Sequence, residues 1–290
     1  MLLSLVIFAL FLWGCAPQRQ GESHFDNSRI VSFAPATTET LFALGLGANV
    51  VGVSKFCTYP PEAVALPKVG GFIDPDIEGV VRLNPTCVVL QRSGADIGQR
   101  LEALSIPVLY VDGNTLDEVL DSFVIIGNAL GRAKEGAALR DKTLEALHSL
   151  GDTAGDNAPE SQKAPPKKVL LVVWRDIGSG IQGLTVASQD GYFSRLIESL
   201  GCQVVPQKAV TAFPTISAES IVQLNPDCIV ELRHDLDEAQ VASAMADWKR
   251  TLPDLPAVRD NHITVITDQC AVVPGPRIPE FVALLSKALK

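Results

Sequence analysis

The sequence predicts an α/β fold of two similar lobes, each built on a parallel sheet and joined by a single long helix. Three observations carry this. Residues 76–92 (DIEGVVRLNPTCVVLQR) and 217–233 (SAESIVQLNPDCIVELR) are copies of one pattern at an offset of 141, identical at eight of 17 positions. Between the copies, residues 115–150 form a helical passage. On either side of that passage apolar strand candidates alternate with amphipathic stretches, the pattern of parallel sheets with helical crossovers.

The shared positions are Glu78/Glu219, Val81/Val222, Leu83/Leu224, Asn84/Asn225, Pro85/Pro226, Cys87/Cys228, Val89/Val230 and Arg92/Arg233. Each copy reads as a short amphipathic helix, an Asn-Pro stop and an apolar run. Proline disfavours helical geometry at the residue before it, so each helix ends near its Asn. The run that follows suits a strand buried on both faces.

In the connecting passage Leu116, Val119, Leu120, Phe123, Ile126 and Leu130 recur at three- and four-residue spacing, one face of a helix. Gly127 weakens that pattern and Gly131 marks a break. Residues 133–150 lack proline, and Gly136 is their only glycine. Their rise of roughly 27 Å suffices to pass from one lobe to the other. A helical joint of this kind permits only small rocking of the lobes.

The chain opens with an apolar run, residues 1–13, interrupted only by Ser4. It is too short to span a bilayer and matches the hydrophobic part of an export signal. It ends in Leu12-Trp13-Gly14-Cys15, which resembles the lipobox of bacterial lipoproteins, in which the Cys is lipidated. No Lys or Arg precedes the run, and Trp13 is bulky where that motif has a small residue. The competing readings are an ordinary signal peptide or a misplaced start codon. The expected divisions are a signal peptide over 1–14, a lipidated flexible tether over 15–28 and an N-terminal lobe over 29–114. Connecting helices over 115–150, a flexible loop over 151–168 and a C-terminal lobe over 169–290 follow.

A net charge of −9 and a pI near 5.0 argue against a nucleic-acid partner. Beyond Cys15 the cysteines are 57, 87, 202, 228 and 270, an odd set that leaves at least one thiol free. Cys87 and Cys228, at equivalent strand positions, read as small buried core residues. Cys202 and Cys270 are a candidate bridge within the second lobe. No CxxC or CxxH spacing suggests zinc, and His24, His148, His234 and His262 are scattered.

Strands are expected at 29–33, 50–53, 86–90 and 107–111 in the first lobe, and at 169–173, 227–231 and 263–266 in the second. Helices are expected at 37–44, with Thr37 and Thr38 as caps, and at 192–200, 218–224 and 278–289. In open α/β sheets ligands bind beyond the carboxyl ends of the strands. That rule selects residues 34–38, 54–61, 91–94, 174–180, 232–235 and 267–277. These loops hold Phe56, Tyr59 and Trp174, with Arg92, Arg175, Arg233 and Arg277. Aromatic faces with a few arginines suit a large, flat or anionic ligand. Tyr59, followed by Pro60-Pro61, reads equally as a loop anchor; Trp174, beside glycine-rich sequence, reads as a ligand contact.

Residues 29–47 (RIVSFAPATTETLFALGLG), 52–61 (GVSKFCTYPP), 68–85 (KVGGFIDPDIEGVVRLNP) and 274–278 (PGPRI) resemble the periplasmic binding proteins for cobalamin and ferric siderophores. The resemblance extends from Arg29 to the C-terminus except 151–168. It implies Rossmann-like lobes on a helical backbone, an interlobe cleft and little closure on binding. The turn through Phe56, Tyr59 and Pro61, and the loop ending in Phe72, are nearer to the cobalamin branch. By that resemblance Trp174 and Phe213 supply aromatic ligand contacts, Arg277 lies in the last cleft loop, and Phe56, Tyr59, Phe72 and Arg92 complete the expected ligand site. Gln91 departs from the pattern, standing where the cobalamin binder has Trp. The alternative cargo is a ferric siderophore, held by the arginines, or haem, with Tyr59 as axial ligand.

The resemblance further implies a monomer without a resident cofactor, lipid-anchored at the periplasm or cell surface. Its partners are a permease dimer with ATPase subunits, docked through Glu78 and Glu219. An enzyme on a related sheet is the rival class. It would need a nucleophile with a base, or a metal cage, and neither is apparent. Asp74, Asp76 and Glu78 cluster, but at a helix start, where acids favour the dipole.

Overall fold

The computed structural model describes residues 25–151, 165–189 and 191–289. The signal peptide, Cys15, most of the tether and most of the 151–168 segment lie outside the described residues.

The first lobe carries four parallel strands, β1 (Ile30–Ser32), β2 (Val50–Val53), β3 (Cys87–Gln91) and β4 (Val108–Val111), in the order β2-β1-β3-β4. Its helices are α1 (Pro35–Ala43), α2 (Pro61–Val64), α3 (Ile77–Arg82) and α4 (Ala95–Ala103). The strands alternate their side chains between two cores. Ile30, Cys87, Val89 and Leu109 face α1 and the connecting helices, while Val31, Val88, Leu90 and Val108 face α3 and α4. Burial on both faces explains the unbroken apolar runs.

Helix α1 corrects one expectation. It begins at Pro35, two residues before Thr37, because proline is pre-set for the first helical position. Thr37 and Thr38 therefore sit inside the first turn and do not cap it. Both are buried; Thr37 Oγ1 donates to the Ala34 carbonyl at 2.9 Å and Thr38 Oγ1 to Ser32 Oγ at 2.8 Å.

The connection is two helices, α5 (Leu116–Ala129) and α6 (Ala133–Gly151), separated where Gly131 turns left-handed at φ 72°. Thr115 caps α5 in a reciprocal box with Glu118. Both helices bridge the lobes. In α5, Leu116, Val119, Leu120 and Phe123 enter the second lobe's core, whereas Ile126 and Ala129 enter the first lobe's. In α6, Leu139 packs against both. The joint is thus a packed pair and stiffer than one isolated helix.

The second lobe contains β5 (Lys168–Trp174), β6 (Leu184–Val186), β7 (Gln203–Val204), β8 (Thr215–Ile216), β9 (Cys228–Leu232) and β10 (Ile263–Ile266). Helices α7 (Tyr192–Ser199), α8 (Ala218–Leu224), α9 (Glu238–Thr251), α10 (Pro256–Arg259) and α11 (Ile278–Ala288) cover it. Strands β10, β9, β5 and β7 are parallel, but β6 and β8 join antiparallel at the edge. This sheet is mixed, not wholly parallel. After β5 the chain reverses through Gly178, Gly180 and Gly183, all at positive φ, and so returns beside β5 without a helical crossover.

The duplicated pattern folds the same way twice, as α3 into β3 and α8 into β9. Asn84 and Asn225 both take left-handed geometry, with φ 44° and 46°. Asn tolerates that region, and the following proline excludes another helical residue. The Cys202–Cys270 bridge is not formed, and all five described cysteines are free thiols. Cys202 precedes β7 at the amino-terminal end of the sheet, beside Cys228, whereas Cys270 follows β10 at the carboxyl end. The two lie at opposite ends of the strands.

Candidate functional site

The carboxyl ends of the strands in both lobes converge on two adjoining cavities. The first, about 700 Å³, is lined by Phe33, Lys55, Phe56, Thr58, Phe72 and Gln91 from the N-terminal lobe and by His234, Gln269, Val272 and Val273 from the C-terminal lobe. The second, about 610 Å³, is lined by Gln91, Asn114 and Thr115 on one side and by Tyr192, Phe193 and Phe213 on the other. Ala34, Pro35, Gln91, Val272 and Val273 line both, so these are two halves of one interlobe cleft.

The aromatic walls have a local cause. Phe56 lies in the turn after β2 and Phe72 in the Gly-Gly-Phe loop; both are exposed at the cleft. Phe213 leaves 49% of its surface open, its ring held edge-on to Phe193 at 6.1 Å. Phe193 in turn meets Phe281 of α11 at 6.0 Å, so the exposed ring is braced from the core.

Of the residues expected at the ligand site, the two cavities gather Phe56, Phe72 and Phe213; their linings do not include Tyr59, Arg92, Trp174 or Arg277. Trp174 ends β5 paired with Thr185 and is 53% exposed. The arginines are engaged. Arg92 Nε lies 3.2 Å from Asp112. Arg233 Nη2 reaches Asp235 at 2.9 Å and its Nη1 donates to the Arg175 carbonyl at 2.8 Å. Arg175 is fully buried, 2.9 Å from both Glu231 and Asp247. Arg277 clamps Glu39 with contacts of 2.6 and 3.0 Å and lies 4.1 Å from the Tyr59 ring centroid. Lys55 lies 2.6 Å from Asp74. The cations expected to meet an anionic ligand each face a carboxylate of the chain itself.

The pair Arg277–Glu39 also joins the lobes, as does the hydrogen bond from Thr58 Oγ1 to Gln269 Oε1 at 2.6 Å. Burial pushes the Glu39 carboxyl up, by more than Arg277 pulls it down. The sequence reading missed Tyr192 and Phe193 as cleft residues; His234 and Gln269 lie in loops it selected, without being singled out there. The pair Tyr192-Phe193 directly follows Gly191 at a helix start, the one signal that marked it. Among the described residues no group of three or more His, Cys, Asp or Glu is placed to hold a metal ion.

A family model described as periplasmic binding protein matches residues 30–270. The chain belongs to that family. Its members are the substrate-binding components of ABC importers, which bind small molecules and are not enzymes. An ABC transporter substrate-binding lipoprotein of Bacillus subtilis is 28% identical over 269 residues, covering 91% of this chain and 80% of the relative. A vitamin B12-binding protein of Vibrio parahaemolyticus is 25% identical, covering 86% and 84%. Among solved structures, a periplasmic haem-binding protein of Roseiflexus superposes with a TM-score of 0.73 at 25% identity, covering 91% of this chain and 98% of that one. This periplasmic binding protein thus carries an open cleft between its two lobes.

Proposed function

We propose that this binding protein captures a cobalamin-type corrinoid in the interlobe cleft and delivers it to a membrane permease with its ATPase subunits. The carrying observation is the character of the cleft: aromatic rings from both lobes around a wide space, with the neighbouring arginines already paired to acids. Such a surface favours a broad ligand of low charge, held by ring contact, over a carboxylate-rich siderophore that needs free cations. Relatives named as vitamin B12-binding proteins support the same reading. Haem is the second reading. His234 in the first cavity is a potential iron ligand, as is the half-exposed Tyr59 nearby, and a haem-binding protein shares the fold.

The protein works as a monomer, tethered through lipidated Cys15 at the periplasmic or outer cell surface. It meets the permease through Glu78 and Glu219. Both are exposed on the first turn of equivalent helices. Val81 and Val222, one turn on, are exposed too, at 47% and 53%, so each lobe offers an acid beside an aliphatic patch. The deciding experiment is calorimetric titration of the mature protein with cyanocobalamin, haemin and a ferric siderophore. One-to-one heat with the corrinoid alone supports the proposal. Binding of haemin or siderophore without corrinoid binding overturns it.

A further inference from the structure

The two halves of the cleft differ in charge. The first half includes Lys55 and His234 in its wall; the lining of the second contains no charged side chain. Its polar groups are the amides of Gln91 and Asn114 and the hydroxyls of Thr115 and Tyr192. Among the described residues no hydrogen bond engages the side-chain amide of Gln91 or of Asn114. The Tyr192 hydroxyl is buried and likewise without a partner. Burial pushes its phenol far up, so it stays a neutral donor. Nearby charges do not welcome an anion. Glu118 sits behind the loop, accepting from the Asn114 and Thr115 backbone N–H groups at 2.8 and 3.3 Å, and Asp112 neutralises Arg92.

A primary amide both donates and accepts, so two free protein amides are complementary to carboxamides on a ligand. A carboxylate in the same place would be desolvated with no cation to meet it, and would face the Glu118 field. We propose that this half of the cleft is an amide-reading subsite, in which Gln91 and Asn114 select a ligand bearing uncharged carboxamide arms against its carboxylate counterpart. The inference rests on the corrinoid reading and deepens it. Corrinoids carry peripheral amides, whereas haem presents propionates. It also gives Gln91 a use: at the shared wall of both cavities, this amide reads a polar arm where an indole would only stack.

The test compares cyanocobalamin with its mono-acid derivatives, each with one peripheral amide hydrolysed to the acid, by titration of the mature wild-type protein. At least one isomer is expected to bind about tenfold or more weakly. Gln91→Lys, and separately Asn114→Lys, are expected to shrink or reverse that gap by supplying a cation, with melting temperature unchanged. If the amide and all acid isomers bind alike, and neither lysine alters the ratio, the subsite is wrong while the corrinoid reading stands. If no corrinoid binds at all, both fail.

Discussion

Glu231 stands in the second copy of the repeat where Leu90 stands in the first, and both are fully buried. The exchange puts a charge inside the lobe and obliges partners for it. Arg175 supplies one, and the Trp248 indole N–H donates to the same carboxylate oxygen. Arg175 in turn holds Asp247 and donates to the Ala244 carbonyl, tying α9 to the strand ends. Burial pushes the Asp247 carboxyl up, but the Gly178 N–H and Arg175 pull it further down, leaving it below the ordinary range. A carboxylate lowered in the native state contributes in full above its unfolded value of about 4 and is lost as pH falls through its native value. Melting curves collected from pH 7 to pH 3 should therefore show an acid-driven fall that is shallower in Asp247→Asn, a variant about 3–5 kcal/mol less stable at neutral pH. Parallel acid limbs would contradict this. At the cleft, Phe213→Ala should weaken corrinoid binding upwards of tenfold, about 2 kcal/mol, with an unchanged melt. Trp174→Ala, outside both cavity linings, should cost less. Fluorescence titration separates the two, and an equal loss would extend the site to Trp174.

At the scale of elements, the α5–α6 pair depends on two glycines whose place in the helical pattern had no local reason. A Cβ on Gly136 would lie 2.5 Å from the Phe123 carbonyl oxygen, and one on Gly127 would lie 2.6 Å from the Arg132 carbonyl oxygen. The backbones cross where side chains are absent, and this close approach brings both helices against both cores. Alanine is the better helix former, so in an isolated helix Gly136→Ala would stabilise. Here it should destabilise by about 1–3 kcal/mol, because backbone on both sides cannot yield. Thermal denaturation of Gly136→Ala and Gly127→Ala reads this directly; a raised melting temperature in either would show that the helices separate without cost.

For the whole molecule, duplication produces two lobes with an exposed acid at the same place on each. Asp76 and Ser217 cap the two helices, which by itself accounts for an acid in each first turn. The Ser217 hydroxyl beside Glu219 holds its carboxyl below the usual range, so it is charged at neutral pH. If these acids serve only the helices, reversing them changes stability slightly and transport not at all. Reconstituted uptake with Glu78→Arg/Glu219→Arg is expected to be abolished while corrinoid affinity is retained. Normal uptake would reduce both to helix starts. The lobes themselves are held by the shared core of α5 and by Arg277–Glu39 and Thr58–Gln269 across the cleft floor.

Sequence alone determined the duplicated helix-strand unit, because Asn-Pro and the apolar run act locally and recur. It also determined the helical connection with its break at Gly131, the family, and the aromatic loops that carry Phe56, Phe72 and Phe213. Burial on both sheet faces leaves an unmistakable run, so the central strands were legible to within a residue or two. The two- and three-residue strands β6 and β8 were not, since so few residues show no period, and the antiparallel edge came from the structure. The fate of the arginines was also decided only in three dimensions. Arg277 and Glu39 are 238 positions apart, and Arg175 and Asp247 are 72 apart. Four loop arginines read one by one suggest an anion site; folded, their acids reach them first and leave a cleft of rings and neutral amides, with Lys55, itself beside Asp74, and His234 confined to one half. Charge pairing across the chain is a property of the packed molecule, and it is what sets the chemistry this cleft can hold.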